Sequence, residues 1–437
     1  MQFISVLSVV ALLSACGFYP AIPVTGGLAS TPVSTRVDSQ LAKCYLAVSS
    51  GHCARSTAFT RRIAGLEQRF LSRPLDWLTL KRISAETSPD FATIFFVNRC
   101  LADRANQRFQ SGYLRELQRI ETLVQQGHWA QTVRTALRGY KILFVPGFHY
   151  VTDPASGADF SNQRQLMSKL GIDVELVPTD EDGTIEENAG IIARIVRSES
   201  RTHSRLILVS TSKGGPETAL ALGKVLRSDE TTSVKAWLSV GGLLGGTLLA
   251  DRVTVWPKSW IARIIFALEK VDFRSLPELT TSGSRARMKW IRLPDQILMI
   301  QYVATPLSGD ITDDVKSRYN YLRKYGPNDG LTLLADELML DGITVLEVGF
   351  DHFYRDPAIN LKSLALANLV AYELDGEPSA PSPCLGKQRP QSCNICGCWR
   401  MSCCHRSPAR SPAHLSMAAA GSAPPVRISH RSVRNAG

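Results

Sequence analysis

Phosphate-binding glycine spacings are missing from this sequence. Its clusters Gly241-Gly242 and Gly245-Gly246 fit neither G-x-G-x-x-G nor the Walker pattern, so they are not read as a nucleotide cradle. Nucleic-acid signatures are missing too. The 437 residues carry a formal net charge of +11, but most of that excess lies between Gly376 and Gly437, where eight Lys or Arg face one acid. A basic tail without interleaved aromatics is a solvated segment, and no nucleic-acid partner is expected. The N-terminal apolar run, Met1 to Ala15, is too short to span a bilayer. Cysteine is scarce in the body: six of the ten lie in the tail, leaving Cys16, Cys44, Cys53 and Cys100. Cys44 and Cys53 are the nearest candidates for a disulfide in an oxidising compartment, but the odd third thiol leaves the pairing open. In the tail, Cys393-x-x-Cys396 with Cys403 and His405 has too little chain between its halves to close a tetrahedral site, so no metal is expected.

What is present is an ordinary globular composition, 44% hydrophobic and 20% charged, long enough for a large core and a smaller module. Short apolar runs at 142–145, 174–177, 206–209, 234–240, 297–303 and 344–350 read as strands. Helical patterns lie between them at 161–170 and after Thr184, with Glu187 completing a capping box; another closes the fold at 361–374. This alternation predicts an α/β fold over residues 141–375, a mostly parallel sheet flanked by helices and joined by right-handed crossovers. Residues 41–140 read as a helical N-terminal module, with Ser88, Pro89 and Asp90 opening one of its helices. Residues 17–40 contain Pro20, Pro23, Pro32 and Gly26-Gly27 and read as a linker needing no structure. Residues 376–437, rich in cysteine, proline and basic residues, read as a disordered tail.

The stretch from Arg205 to Gly223 organises the rest. The strand 206–209 runs into a tight turn around Ser212, followed by Gly214, Gly215 and Pro216 and then a helix. Ser210-Thr211-Ser212-Lys213-Gly214 resembles the G-x-S-x-G elbow of the α/β-hydrolase family, with serine in place of the first glycine. That resemblance covers about half the chain. It implies that Ser212 is a nucleophile and that Pro146-Gly147-Phe148-His149, after the first sheet strand, forms the oxyanion loop, with the amides of Phe148 and Lys213 as donors. His149 is then a wall or hydrogen-bonding residue, or alternatively a base. The acid implied is Asp329, in Asn328-Asp329-Gly330-Leu331, with Asp310 as its rival; the base is His352, directly after the last strand. The order Ser212, Asp329, His352 is the family's order. A serine hydrolase of carboxylic esters, lipase- or esterase-like, is therefore expected, acting on a small-molecule or lipid ester without metal or cofactor. The other reading is a non-catalytic envelope lipoprotein that uses the fold as a binding or scaffold module. The amphipathic stretch Trp256 to Leu268 reads as a core-packed helix or as a lid.

Leu13-Ser14-Ala15-Cys16 resembles the lipobox of bacterial lipoproteins, although no Lys or Arg precedes the apolar run. It implies that residues 1–16 are a signal ending at a lipidated Cys16, which would anchor the protein to a membrane of the bacterial cell envelope. An ordinary signal peptide is the alternative.

Overall fold

The computed structural model describes residues 22–51, 57–254 and 274–376. The lipobox with Cys16, Cys53, the Trp256 to Leu268 stretch and the tail after Gly376 lie outside the described residues. Among the described residues no helix is long and apolar enough to cross a membrane.

The segment expected to be a structureless linker is instead a β-hairpin. Strands β1 (Ile22–Leu28) and β2 (Thr31–Val37) pair antiparallel, with Leu28 opposite Thr31. The two turn residues Ala29 and Ser30 both have positive φ, the twist a two-residue hairpin requires. Proline and glycine suggested a linker, but in a two-stranded sheet both strands are edges and tolerate proline. Val24, Leu28, Val33 and Val37 are buried against the helices that follow.

Six helices come next: α1 (Gln40–Ser49), α2 (Ala58–Phe70), α3 (Trp77–Glu86), α4 (Pro89–Leu101), α5 (Arg104–Gln126) and α6 (Trp129–Ala136). Ser88 caps α4 by accepting from the Phe91 amide, and Pro89 takes the first turn, where its missing N–H costs nothing. The hairpin and α1 to α4 share one apolar cluster with Val303, Leu307, Leu346 and Val348 of the sheet region, while Phe109, Tyr113 and Ile120 of α5 pack directly on the sheet.

Among the described residues the sheet has six strands: β3 (Lys141–Val145), β4 (Asp173–Leu176), β5 (Leu206–Thr211), β6 (Val234–Val240), β7 (Leu298–Thr305) and β8 (Ile343–Val348). All pairs are parallel and the order is β4-β3-β5-β6-β7-β8. Parallel strands need covering on both faces. One face carries Ile142, Phe144, Ile207 and Leu238 against α5, α6, α7 (Ser161–Lys169) and α13 (Ile359–Asp375). The other carries Leu143, Val145, Leu208 and Trp237 against α8 (Ile185–Glu199), α9 (Gly214–Leu220) and α11 (Thr281–Met288). Helices α10 (Leu248–Thr254) and α12 (Lys316–Leu322) complete the described set. The result is a sheet of the α/β-hydrolase type.

Edge strand β8 is shielded by α5. Asn106 Oδ1 accepts from the Thr344 amide at 2.8 Å, and Gln110, one turn on, exchanges two hydrogen bonds with the backbone of Leu346. These amides satisfy groups that an open edge would offer to another chain. The Thr184 capping box at the start of α8 is present in full.

Asp90 fastens the hairpin to the sheet. Its Oδ2 accepts from the Asp38 amide at 2.7 Å, and its Oδ1 accepts from the Ser308 amide and hydroxyl at 2.8 and 2.7 Å. Burial, then the neighbouring Asp38, pushes this carboxyl above its ordinary range, so its value lies in accepting hydrogen bonds rather than in charge. Asp90→Ala leaves these donors buried and unmet and is expected to cost about 3 kcal/mol or more; Asp90→Asn, which keeps an acceptor, should cost less. Urea midpoints of the two variants check this, and an unchanged midpoint for the alanine variant would remove Asp90 as the fastening.

Candidate active site

The strand order places a crevice between β3 and β5. From β3 the chain moves outward to β4, then returns to the other side of β3 as β5, so the connections leaving the carboxyl ends of β3 and β5 part to opposite faces. Open α/β sheets bind ligands at such a point. Phe148 follows β3 there, and Ser212 follows β5.

Ser212 has φ +52°, a left-handed conformation that costs a non-glycine residue about 1–2 kcal/mol. Backbone bonds hold it there. Its amide donates to Val240 O at 3.2 Å, and its carbonyl accepts from Gly215 and Leu243, each at 3.0 Å. The glycines beside it are sterically required. A Cβ on Gly214 would lie 2.6 Å from Pro146 O, and one on Gly215 would lie 2.9 Å from Gly242 Cα. At Gly147 a Cβ would crowd Ser212 Cβ at 3.2 Å, so the loop after β3 lies directly against the turn.

Ser210, where the family elbow has glycine, is fully buried, and its hydroxyl accepts the indole N–H of buried Trp237 at 2.8 Å. A glycine there would leave that donor unmet. The substitution is therefore matched by its neighbour on β6.

His352 Nδ1 bonds Asp329 Oδ2 at 2.5 Å, with both side chains buried. The remaining Asp329 oxygen accepts from the amides of Leu331 and Thr332 at 2.8 and 2.7 Å. Asn328 Oδ1 accepts from the Gly330 amide, and Gly330 has φ +94°, the conformation that lets this turn present its carboxylate. Nearby Glu337 is buried without a hydrogen-bond partner, and burial, then Asp329 and Asp336, pushes it well above its ordinary range. The shift favours its uncharged form beside Asp329.

The rival positions are engaged elsewhere. Asp310 accepts from the Leu307 amide and from Thr35 of the hairpin. His149 Nδ1 bonds Thr152 Oγ1 at 3.0 Å, its ring lies edge-on to Phe148 and burial lowers its pKa; among the described residues no carboxylate is hydrogen-bonded to it.

A cavity of about 1420 Å³ opens over the crevice, with Ser212, His352, Phe148 and His149 on its wall. Among the described residues no hydrogen bond joins Ser212 Oγ to His352, and the backbone N–H groups of Phe148 and Lys213 donate to no protein acceptor.

The side chain of Lys213 has a role that its position in the sequence did not reveal. Only 2% exposed, its ammonium donates to Glu181 O at 2.9 Å and pairs with buried Glu217 at 3.2 Å. Asn188 donates to Glu217 at 2.7 Å. The Glu181 carboxylate in turn accepts from the amides of Val151 and Thr152, on the loop after β3. One buried cation thus ties the turn after β5 to the loop carrying Phe148. Glu217 falls one helical turn after Lys213, the only local signal of the pair.

No protein-family model matches the chain, and no curated relative matches it. Among solved structures it is similar to the lipase BlEst2 of Bacillus licheniformis in its propeptide form, at 22% identity and a TM-score of 0.42, over 49% of this chain and 46% of that one. It is also similar to the metagenomic carboxyl esterase MGS0156, at 22% identity and 0.43, over 55% and 76%, and to EstA from Clostridium botulinum, at 11% and 0.41, over 54% and 87%. The chain thus spans less than half the length of the first of these.

Burial, opposed by Lys213 and Asn188, pushes the Glu217 carboxyl from 4.5 up to about 7. The folded chain therefore keeps a proton that the unfolded chain releases. This group's contribution to stability is fully present below pH 4.5 and is lost as pH rises through about 7. Glu217→Gln removes the titration. Urea midpoints measured against pH should show the parent falling relative to E217Q between pH 4.5 and about 7 and running parallel above; a constant difference would mean that Lys213 keeps the carboxyl ionised throughout.

Proposed function

We propose that this chain is a serine hydrolase of carboxylic esters, acting through an acyl-enzyme. The observation that carries this reading is the buried His352–Asp329 hydrogen bond on the wall of the cavity that Ser212 enters. Asp329 fixes the tautomer with the proton on Nδ1, leaving Nε2 as the acceptor. When an ester fills the cavity, Ser212 Oγ and Nε2 come within hydrogen-bonding distance, a contact that often tightens only with substrate present. Oγ attacks the carbonyl carbon while Nε2 takes its proton. The oxygen becomes an oxyanion, and the two uncommitted amides of Phe148 and Lys213 receive it. Collapse expels the alcohol, which takes the proton from Nε2; water then repeats the sequence on the acyl-serine and releases the acid. Leu238, Leu243, Leu249 and Leu279 on the cavity wall suit an apolar acyl part.

The test is a fluorophosphonate probe, which phosphonylates an activated serine. The parent should label, Ser212→Ala should not, and Asp329→Asn should lose about 10⁴-fold in kcat on an aryl ester. Equal labelling of parent and Ser212→Ala would remove Ser212 from the mechanism; no labelling of folded parent would leave a binding module instead.

On the sequence Leu13-Ser14-Ala15-Cys16 alone, we also propose that lipid on Cys16 holds the enzyme at an envelope membrane. Cys16→Ser should abolish palmitate incorporation and salt-resistant membrane fractionation; equal incorporation by both forms would overturn this.

A further inference from the structure

The charges around the cavity do not cancel evenly. On its wall, Arg355 is clamped by both oxygens of Asp314, each at 2.7 Å. Lys362 is paired with Asp356 and, at 2.5 Å, with Glu347. Asp153, on the loop after β3, is exposed. Two wall cations, Arg252 and Arg318, form no ion pair among the described residues, although Asp314, Asp351 and Asp329 act on Arg318 from further away.

Arg318 is the more telling. Half-buried on α12, its guanidinium makes one hydrogen bond, to the Asp314 carbonyl at 3.3 Å. Burial, the largest effect, lowers its pKa from the ordinary value against the opposing pull of Asp314, Asp351 and Asp329, so the cation is partly desolvated. It lies over the Phe353 ring at 5.4 Å, and that ring stands edge-on to His352 with centroids 5.9 Å apart. Arg252 lies over the Tyr321 ring at 4.6 Å, and Tyr321 follows Arg318 by three residues on the same helix. Arg318 is therefore one aromatic ring away from the histidine, and Arg252 meets the same helix through Tyr321.

We propose that Arg318, assisted by Arg252, binds an anionic group, a carboxylate or phosphate, on the alcohol portion of the ester. This rests on the ester-hydrolase reading above. The alcohol side follows from chemistry: the leaving oxygen takes its proton from His352, so the group attached to it lies on the histidine's side of the cavity, where Arg318 stands. The planar fork of a guanidinium matches a carboxylate or a phosphate in a way that a lysine does not.

The experiment uses the full chain and three butyrate esters: 4-butyryloxybenzoate, its neutral methyl ester, and 4-butyryloxyphenyl phosphate. The parent should prefer an anionic ester over the neutral one, and the preferred anion distinguishes carboxylate from phosphate. Arg318→Met should lower kcat/KM on that ester by about 10- to 100-fold, the range of a charge-assisted hydrogen bond, with less than about threefold change on the methyl ester; Arg318→Lys should fall between. Equal losses on charged and neutral esters, or no loss on either, overturn the anion site. Binding is read separately with Ser212→Ala as background, by calorimetry with the same anionic esters, where Arg318→Met should weaken Kd about 10-fold or more. Turnover without dependence on Arg318 overturns only this inference. Arg318-dependent binding without turnover by the parent overturns only the ester-hydrolase reading.

Discussion

The left-handed conformation of Ser212 is the constraint around which the rest is arranged. A serine does not adopt it without support, and here the support comes from three directions. The amide of Ser212 is committed to β6 and its carbonyl to Gly215 and Leu243, while the loop after β3 closes on its Cβ through Gly147. Apart from the bond from Gly215, three residues on, these contacts are distant in sequence. They exist because β5 lies between β3 and β6 in one parallel sheet, so the strain at one residue is held by the register of three strands.

A second cost is met close by. Burying a lysine beside a glutamate is expensive, and burial raises Glu217 so far that Lys213 restores only part of its acidity. An apolar pair would cover the same volume. What it could not do is donate to Glu181 O and so link α9, α8 and the loop that carries Phe148. The polar cluster thus serves to fix the separation of two backbone amides whose N–H groups stay uncommitted, at some expense in stability.

The strand ends of the α/β sheet were legible because buried parallel strands are short apolar runs bounded by glycine and proline, and because Ser212, Asp329 and His352 each fall just beyond a strand or in a marked turn. The Ser210–Trp237 bond was not, since it depends on β5 lying beside β6 with both residues facing α9. The side-chain role of Lys213 was hidden for the same reason: its partners at 181 and 188 are distant in sequence. The hairpin at 22–37 is not legible as one because proline and glycine mark a linker and an edge strand alike, and only its alternation of Val24, Leu28, Val33 and Val37 with exposed positions speaks for burial.

That hairpin and the helices after it explain how the Asp329 turn is held. Asp329 lies in a segment with little regular structure, which by itself would fix a carboxylate poorly. The residues just beyond it, Leu334 and Ala335, are buried in the same cluster as Val37, Leu46 and Phe95, and Leu333 packs with Leu322 and Trp77. Asp336 is clamped by Arg285, whose guanidinium lies over Trp77 at 4.3 Å. Asp310 holds the hairpin against the loop after β7. The N-terminal region thus acts as the wall against which the Asp329 turn is pressed. Loosening the hairpin should therefore disturb His352 as well, through the carboxylate that orients it, without touching the cavity.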